Sequence, residues 1–184
     1  MDVMEAILSR RSIRKYKPDA VSDKDLETVL EAARWAPSWA NTQCGRFVVV
    51  KDREVKARLS ATLSHGNPAA DAVASAPVVI VACAQTGRSG FKRGEVMTSK
   101  GDWYMFDVAL AMANVTLAAR ALGLGTVHVG LFNAEQAAEV LAVPEGISVV
   151  EMTPLGYPDE EAKGPGRKEL SEIVFHDKYG QSKA

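Results

Sequence analysis

A single domain mixing helices and strands, with its central strand covered on both faces, is what this 184-residue sequence predicts. Three observations carry that expectation. The run Val78-Val79-Ile80-Val81-Ala82-Cys83-Ala84 is apolar at every position, without the alternation of a half-exposed strand, so it belongs inside a sheet packed on both sides. Other segments repeat apolar residues at helical spacing, most clearly Leu26, Val29, Leu30 and Ala33. Apolar residues make up 47% and charged residues 24%, the usage of a folded globular chain and not of a disordered one. A chain of this length can bury one sizeable core.

The elements follow in order. Asp2 caps a first helix with an apolar side of Val3, Met4, Ile7 and Leu8 and with Glu5 placed for a capping box. That helix runs out near Arg10 and Arg11, and Pro18 closes the segment after it. Ser22 caps a second helix, with Asp23 and Asp25 in its first turn, and Pro37 ends it. Residues 37–46 form a loop dense in hydrogen-bonding side chains, and Phe47-Val48-Val49-Val50 is a short buried strand. Asp52 caps a third helix carrying Val55, Leu59 and Leu63, broken at His65-Gly66-Asn67-Pro68; a brief Ala-rich helix then reaches Pro77. Beyond the central strand, residues 85–101 are polar, basic and Gly-containing, the composition of a mobile loop or lid.

Residues 102–122 make the longest helix. Its many alanines leave few polar positions, so it is expected to be buried nearly all round, at the centre of the fold or in a subunit interface. Gly123 stops it, Thr126-Val127-His128-Val129 is a strand, and Asn133 caps a short helix through Leu141. Residues 148–155 form a further strand, ended by Gly156-Tyr157-Pro158. A Gly/Pro loop over 163–168 carries the adjacent cations Arg167 and Lys168; residues 170–175 read as extended, and 176–184 as a polar tail. No composition shift marks a boundary, so residues 1–184 are taken as one domain.

The chemistry concentrates in Arg10-Arg11-Ser12-Ile13-Arg14-Lys15-Tyr16, four cations and a hydroxyl within seven residues. Guanidinium forks and a serine hydroxyl suit a phosphate. The same run also suits a helix C-terminus followed by a solvated basic stretch, or a nucleic-acid patch. A formal net charge of −1 makes the basicity local, which argues against a dedicated nucleic-acid binder. Cys44 and Cys83 build neither a disulfide framework nor a metal cluster, and His65, His128 and His176 lack metal-ligand spacing. Gly123-Leu124-Gly125 follows a helix and precedes a strand, the reverse of a dinucleotide-binding turn. The sequon Asn114-Val115-Thr116 falls within a helix, Cys44 has no visible base, and no nucleophile elbow is present. The start of the chain is acidic and amphipathic, unlike a signal peptide, and no apolar run reaches membrane-spanning length; a cytoplasmic protein is the expectation.

Four stretches in order resemble the FMN-dependent nitroreductase family: Arg10 through Tyr16; Ala36-Pro37-Ser38 with Asn41 and Gln43; Asp107 with residues 117–126; and Leu155-Gly156-Tyr157-Pro158 followed by Arg167-Lys168. Together they span nearly the whole chain. The resemblance implies an α+β, three-layer α/β/α sandwich with a mainly antiparallel sheet. It implies a homodimer whose C-terminal segment extends onto the partner, with FMN sites built from both chains. Arg10, Ser12 and Arg167 or Lys168 would hold the FMN phosphate, Arg11 contributing backbone or charge, and Arg14 would lie toward the ribityl chain and pyrimidine edge. Pro37, Ser38, Trp39, Asn41 and Gln43 would line the ring or come from the other subunit, with Thr126, Val127, His128 and Gly156 completing its surroundings.

A cation beside the pyrimidine edge favours the reduced flavin. NAD(P)H is then the hydride donor and a nitroaromatic, quinone or similar small molecule the acceptor, in ping-pong order, with no obligatory side-chain acid or base; His128 or water is the candidate proton source. Enones, halogenated aromatics and free flavin are alternative acceptors within the family, and a non-enzymatic FMN carrier is the alternative outside catalysis. No nucleic-acid or membrane partner is expected. Two departures bear on substrate: Cys44-Gly45 stands where many relatives have Pro-Trp, and His128 where they often carry an aromatic.

Overall fold

The computed structural model describes residues 1–181, so the last three residues of the expected polar tail lie outside it. A four-stranded antiparallel sheet forms the middle layer in the order β1 (Gly45–Val50), β2 (Val78–Gln85), β6 (Ile147–Gly156) and β5 (Gly125–Thr126). β2 lies between β1 and β6, and its uninterrupted apolar run is buried through Ala84, as a strand covered on both faces requires. A register shift between Ala82 and Cys83 bends the pairing of β2 with β6.

Period two along β2 sorts its side chains into two cores. Val78, Ile80, Ala82 and Ala84 meet α2 (Asp23–Arg34) and α5 (Tyr104–Ala121), through Leu26, Val29, Val108, Met112 and Val115. Val79, Val81 and Cys83 face α3 (Arg53–Ala61), α4 (Ala70–Ser75) and α6 (Ala134–Leu141), through Leu59, Val73 and Ala137. Helices thus cover both faces of an antiparallel sheet, in three layers. The helix starts follow capping chemistry: Asp2, Ser22, Asp52 and Asn133 each accept a backbone N–H three residues on.

Three expectations are corrected. Residues 170–175 are not extended: Leu170–Ile173 is a short helix, α7, because Glu169 and Glu172 form a reciprocal capping box around its first turn. Residues 85–101 are not a free loop. They hold a hairpin of β3 (Phe91–Lys92) and β4 (Glu95–Val96), pinned by Met97 N–H on the Gly90 carbonyl (2.8 Å) and Trp103 Nε1–H on Thr98 Oγ1 (2.7 Å). The strand at 126–129 shrinks to the two residues of β5, with Val129 rejoining β6 only through an isolated bridge to Met152.

The helix α5 is half exposed in the single chain. Asp107, Val108, Ala111, Met112, Val115, Thr116 and Ala119 face inward, while Met105 and Phe106 stay more than half exposed and Ala109 and Ala113 face out. On α1 (Val3–Ser9), Ala6 is the buried residue; Val3, Met4, Ile7 and Leu8 lie in the open.

Candidate functional site

The basic stretch after α1 is stitched to the sheet edge rather than floating in solvent. Ser12 bridges Thr126 in parallel, Ile13 N–H donates to the Thr126 carbonyl (2.9 Å), and Lys17 N–H donates to the Tyr157 carbonyl (2.9 Å). Gly125 is required for this docking, since a Cβ there would stand 2.7 Å from the Ile13 side chain. Tyr16 locks the turn, donating its hydroxyl to the Ile13 carbonyl (2.6 Å); burial, reinforced by the Glu160 carboxylate, pushes its phenol well above the usual range. The chain's far end closes over the same segment, with Glu160 Oε1 accepting the backbone N–H groups of Arg14 (2.5 Å) and Lys15 (3.2 Å).

These contacts bring Arg10, Arg11, Ser12, Arg14, Lys163 and Arg167 around one cavity of about 530 Å³, together with Glu160 and Glu161. Arg11 Nη1 donates to the carbonyls of Leu8 and Arg10 (both 2.8 Å), and its side chain passes so close to Gly164 that a Cβ there would lie 2.8 Å from Arg11 Cδ. An adjoining cavity of about 290 Å³ shares Arg10 and Arg11 and adds Thr126 and Arg120. Arg120 was not foreseen; it ends α5 and donates Nε–H to Ser9 Oγ (2.9 Å). Being the one basic residue of that helix's last turn was the available signal.

The other expected residues stand elsewhere in the single chain. Pro37, Ser38 and Gln43 line a separate cavity of about 440 Å³ with Cys44, Phe47 and Asp107. Trp39 lines a fourth cavity of about 850 Å³, and Asn41 is not among the residues lining either of these last two. Val127 is buried in the second core. His128 pairs through Nδ1 with Glu151 (2.9 Å), which also accepts from Thr153 Oγ1 (3.0 Å). Gly156 is a packing position, where a Cβ would meet Pro77 Cδ at 2.7 Å. Lys168 is exposed beside Arg167, outside the cavity.

The loop over 37–43 has its own anchor. Ala40, Asn41 and Gln43 all adopt left-handed backbone, which side-chain-bearing residues disfavour. The buried Asp107 carboxylate holds them there: Oδ1 accepts Trp39 N–H (2.9 Å), and Oδ2 accepts Thr42 Oγ1–H (3.3 Å) and the Cys44 thiol (3.4 Å). Burial first, then this carboxylate, pushes the Cys44 thiol up to about 11, so it is no nucleophile at neutral pH. Among the described residues no cluster of His, Cys, Asp and Glu is placed to hold a metal, and no helix is long and apolar enough to cross a membrane.

Fold and donors define a class: an antiparallel α+β sandwich with a cationic cradle at its sheet edge that can hold a phosphorylated ligand. Comparison with known proteins gives the family. The model of the Nitroreductase family matches residues 7–157, and the chain belongs to that family. It is 36% identical over 164 residues to a protein of Archaeoglobus fulgidus, covering 87% of each chain. It is 30% identical over 176 residues to the FMN reductase [NAD(P)H] of Bacillus subtilis, covering 89% of this chain and 69% of that one. The solved FMN-dependent nitroreductase from Clostridium difficile R20291 superposes with a TM-score of 0.80 at 28% identity, covering 96% of this chain and 99% of that one.

Proposed function

We propose that the chain works as a homodimer, one domain per protomer, that passes electrons from NAD(P)H to a nitroaromatic, quinone or similar small acceptor in ping-pong order. It is an NAD(P)H-dependent oxidoreductase whose cofactor is FMN. The observation that carries the reading is the cradle: guanidinium groups from both ends of the chain and the Ser12 hydroxyl converge on one cavity. That donor set fits a phosphate monoester, which needs several charged hydrogen bonds. Glu160 is compatible with it because its carboxylate is engaged by backbone N–H groups, and Glu161 in the same lining is balanced in charge by Lys163.

In this reading Arg10, Ser12 and Arg167 hold the phosphate, Arg167 through the nitrogens other than Nη1, which is given to the Pro165 and Gly166 carbonyls (3.0 and 3.4 Å), with Lys168 beside them. Arg11, its guanidinium engaged by backbone carbonyls, shapes the cradle and lends charge. Arg14 reaches toward the ribityl chain and the pyrimidine edge, and Thr126 closes the cradle's inner side. Bound FMN supplies the hydride chemistry. Loop 37–43 lines cavities other than the cradle of its own chain and in this reading serves the partner's, held in shape by Asp107. The open apolar residues on α1, α5 and α7, among them Leu8, Phe106 and Leu170, support a subunit interface there. His128 turns Nδ1 to Glu151, which leaves Nε2 as the ring nitrogen open to a ligand.

An anaerobic absorption spectrum of the purified protein, before and after NADH or NADPH, tests this. A yellow dimer bleached by the nucleotide and recoloured by a quinone is expected. Colourless protein that takes up no added FMN would sink it. Free flavin as acceptor is a second reading, favoured by the names of two relatives, the FMN reductase of Bacillus subtilis and the NADPH-flavin oxidoreductase of Vibrio harveyi.

A further inference from the structure

We propose that the β3–β4 hairpin and the Trp39 turn form a second binding site, selective for a flat aromatic group that carries a negative charge nearby. The oxidoreductase reading supplies only the identity of the ligand. The cavity between these elements, about 850 Å³, is lined by the apolar surfaces of Trp39, Phe91 and Met97 and by Arg88, Lys92 and Arg93. Aromatic and thioether surfaces stack on a ring, and guanidinium and ammonium groups beside them meet its charge. None of the three cations is in an ion pair among the described residues. Two carboxylates are close in the fold: Glu95 pairs with Lys92 in the hairpin register, and Asp102 is taken by the Gly87 N–H (2.6 Å).

The cations stand on a fixed platform. Arg93 and Gly94 make the two-residue turn with φ of 55° and 84°, where Asn-Gly is the ordinary choice, so an arginine is held in backbone that disfavours it. Beneath the hairpin, Gly90 packs so tightly that a Cβ would lie 2.4 Å from the Gly101 carbonyl oxygen. Trp39 belongs both to this cavity and to the loop assigned to the flavin, so the second site adjoins the first.

Two molecules bring the required chemistry: a carboxylated aromatic acceptor, and the adenosine 2′-phosphate end of NADPH. The test compares the FMN-loaded enzyme with Arg88→Gln/Lys92→Gln/Arg93→Asn, in which Asn preserves the turn. Lys92→Gln alone is the fallback if the triple variant fails to fold. Calorimetry measures binding of 4-nitrobenzoate, 4-nitrobenzyl alcohol and adenosine 2′,5′-bisphosphate, and kcat/KM is measured for the two nitro compounds and for NADPH against NADH.

The variant is expected to lose about tenfold toward an anionic ligand and little toward its neutral counterpart, with the salt dependence of the anionic one abolished. A loss confined to 4-nitrobenzoate assigns the site to the acceptor; one confined to adenosine 2′,5′-bisphosphate and NADPH assigns it to the donor. Equal losses for charged and neutral ligands, or none, overturn the proposal. Anion-selective binding without NAD(P)H oxidation keeps this site and sinks the oxidoreductase reading; turnover without charge discrimination does the reverse.

Discussion

Asp107 offers the sharpest test of how the loop over 37–43 is held. Asp107→Ala removes the acceptor of Trp39 N–H at 2.9 Å and of Thr42 and Cys44 at 3.3 and 3.4 Å. A hydrogen bond to a charged group contributes about 1.5–3 kcal/mol; the two long contacts add less, so the loss is about 2–4 kcal/mol. Against this stands the cost of left-handed backbone at Ala40, Asn41 and Gln43, roughly 1–2 kcal/mol per residue and less for Asn. The terms are comparable, so without the carboxylate the turn relaxes. Asp107→Asn keeps an oxygen for Trp39 N–H and recovers most of the stability.

Urea denaturation gives the first number and quenching of FMN fluorescence the second. Asp107→Ala is expected to weaken FMN binding at least tenfold, with Asp107→Asn in between. Cys44 is an internal reporter, because losing the carboxylate lowers its thiol from about 11 and speeds alkylation at pH 9 in both variants. An Asp107→Ala protein with unchanged FMN affinity and unchanged alkylation would refute the anchoring role.

Further expectations follow from the same geometry. Arg10→Ala removes a charged donor from the cradle and should weaken FMN retention by about 1.5–3 kcal/mol, read by dialysis and absorbance. Gly156→Ala drives a Cβ to within 2.7 Å of Pro77 Cδ and should destabilise by about 1–3 kcal/mol in denaturant titrations. Ala113→Glu, on the open side of α5, should leave the fold intact and abolish the dimer and FMN binding together, by light scattering and absorbance. Cys44 and Cys83 are each raised from 9.0 to about 11, chiefly by burial. The folded state therefore keeps these protons more tightly than the unfolded one. Their contribution is complete below pH 9 and is lost as pH climbs to 11, so thermal melts should fall across that window and Cys83→Ala should flatten the fall.

Legibility in the sequence tracked the range of the interaction. Helix starts were readable because capping joins residues three apart: Ser22 with Asp25, Asp52 with Val55, Asn133 with Gln136. β2 was readable because burial on both faces leaves no polar position. α7 was misread because a glutamate supplies its cap where Ser, Thr, Asp or Asn is usual. The hairpin at 91–96 was missed because its strands are two residues long and its turn uses an arginine. Asp107 as an anchor had no local signal, its partner Trp39 lying 68 positions away. The basic stretch was visible as charge, but its place beside Thr126 and beneath Glu160 is set by contacts more than a hundred residues distant.

Those distant contacts give the cradle a schedule. Arg10 through Lys17 come earlier in the chain than all the groups that hold them, which belong to β5 and to Tyr157 and Glu160, more than a hundred residues on. The helices can form as they emerge, while the basic stretch waits unseated until Tyr157 and Glu160 have been made. A growing chain therefore completes this cradle late, after both cores have their helices and strands.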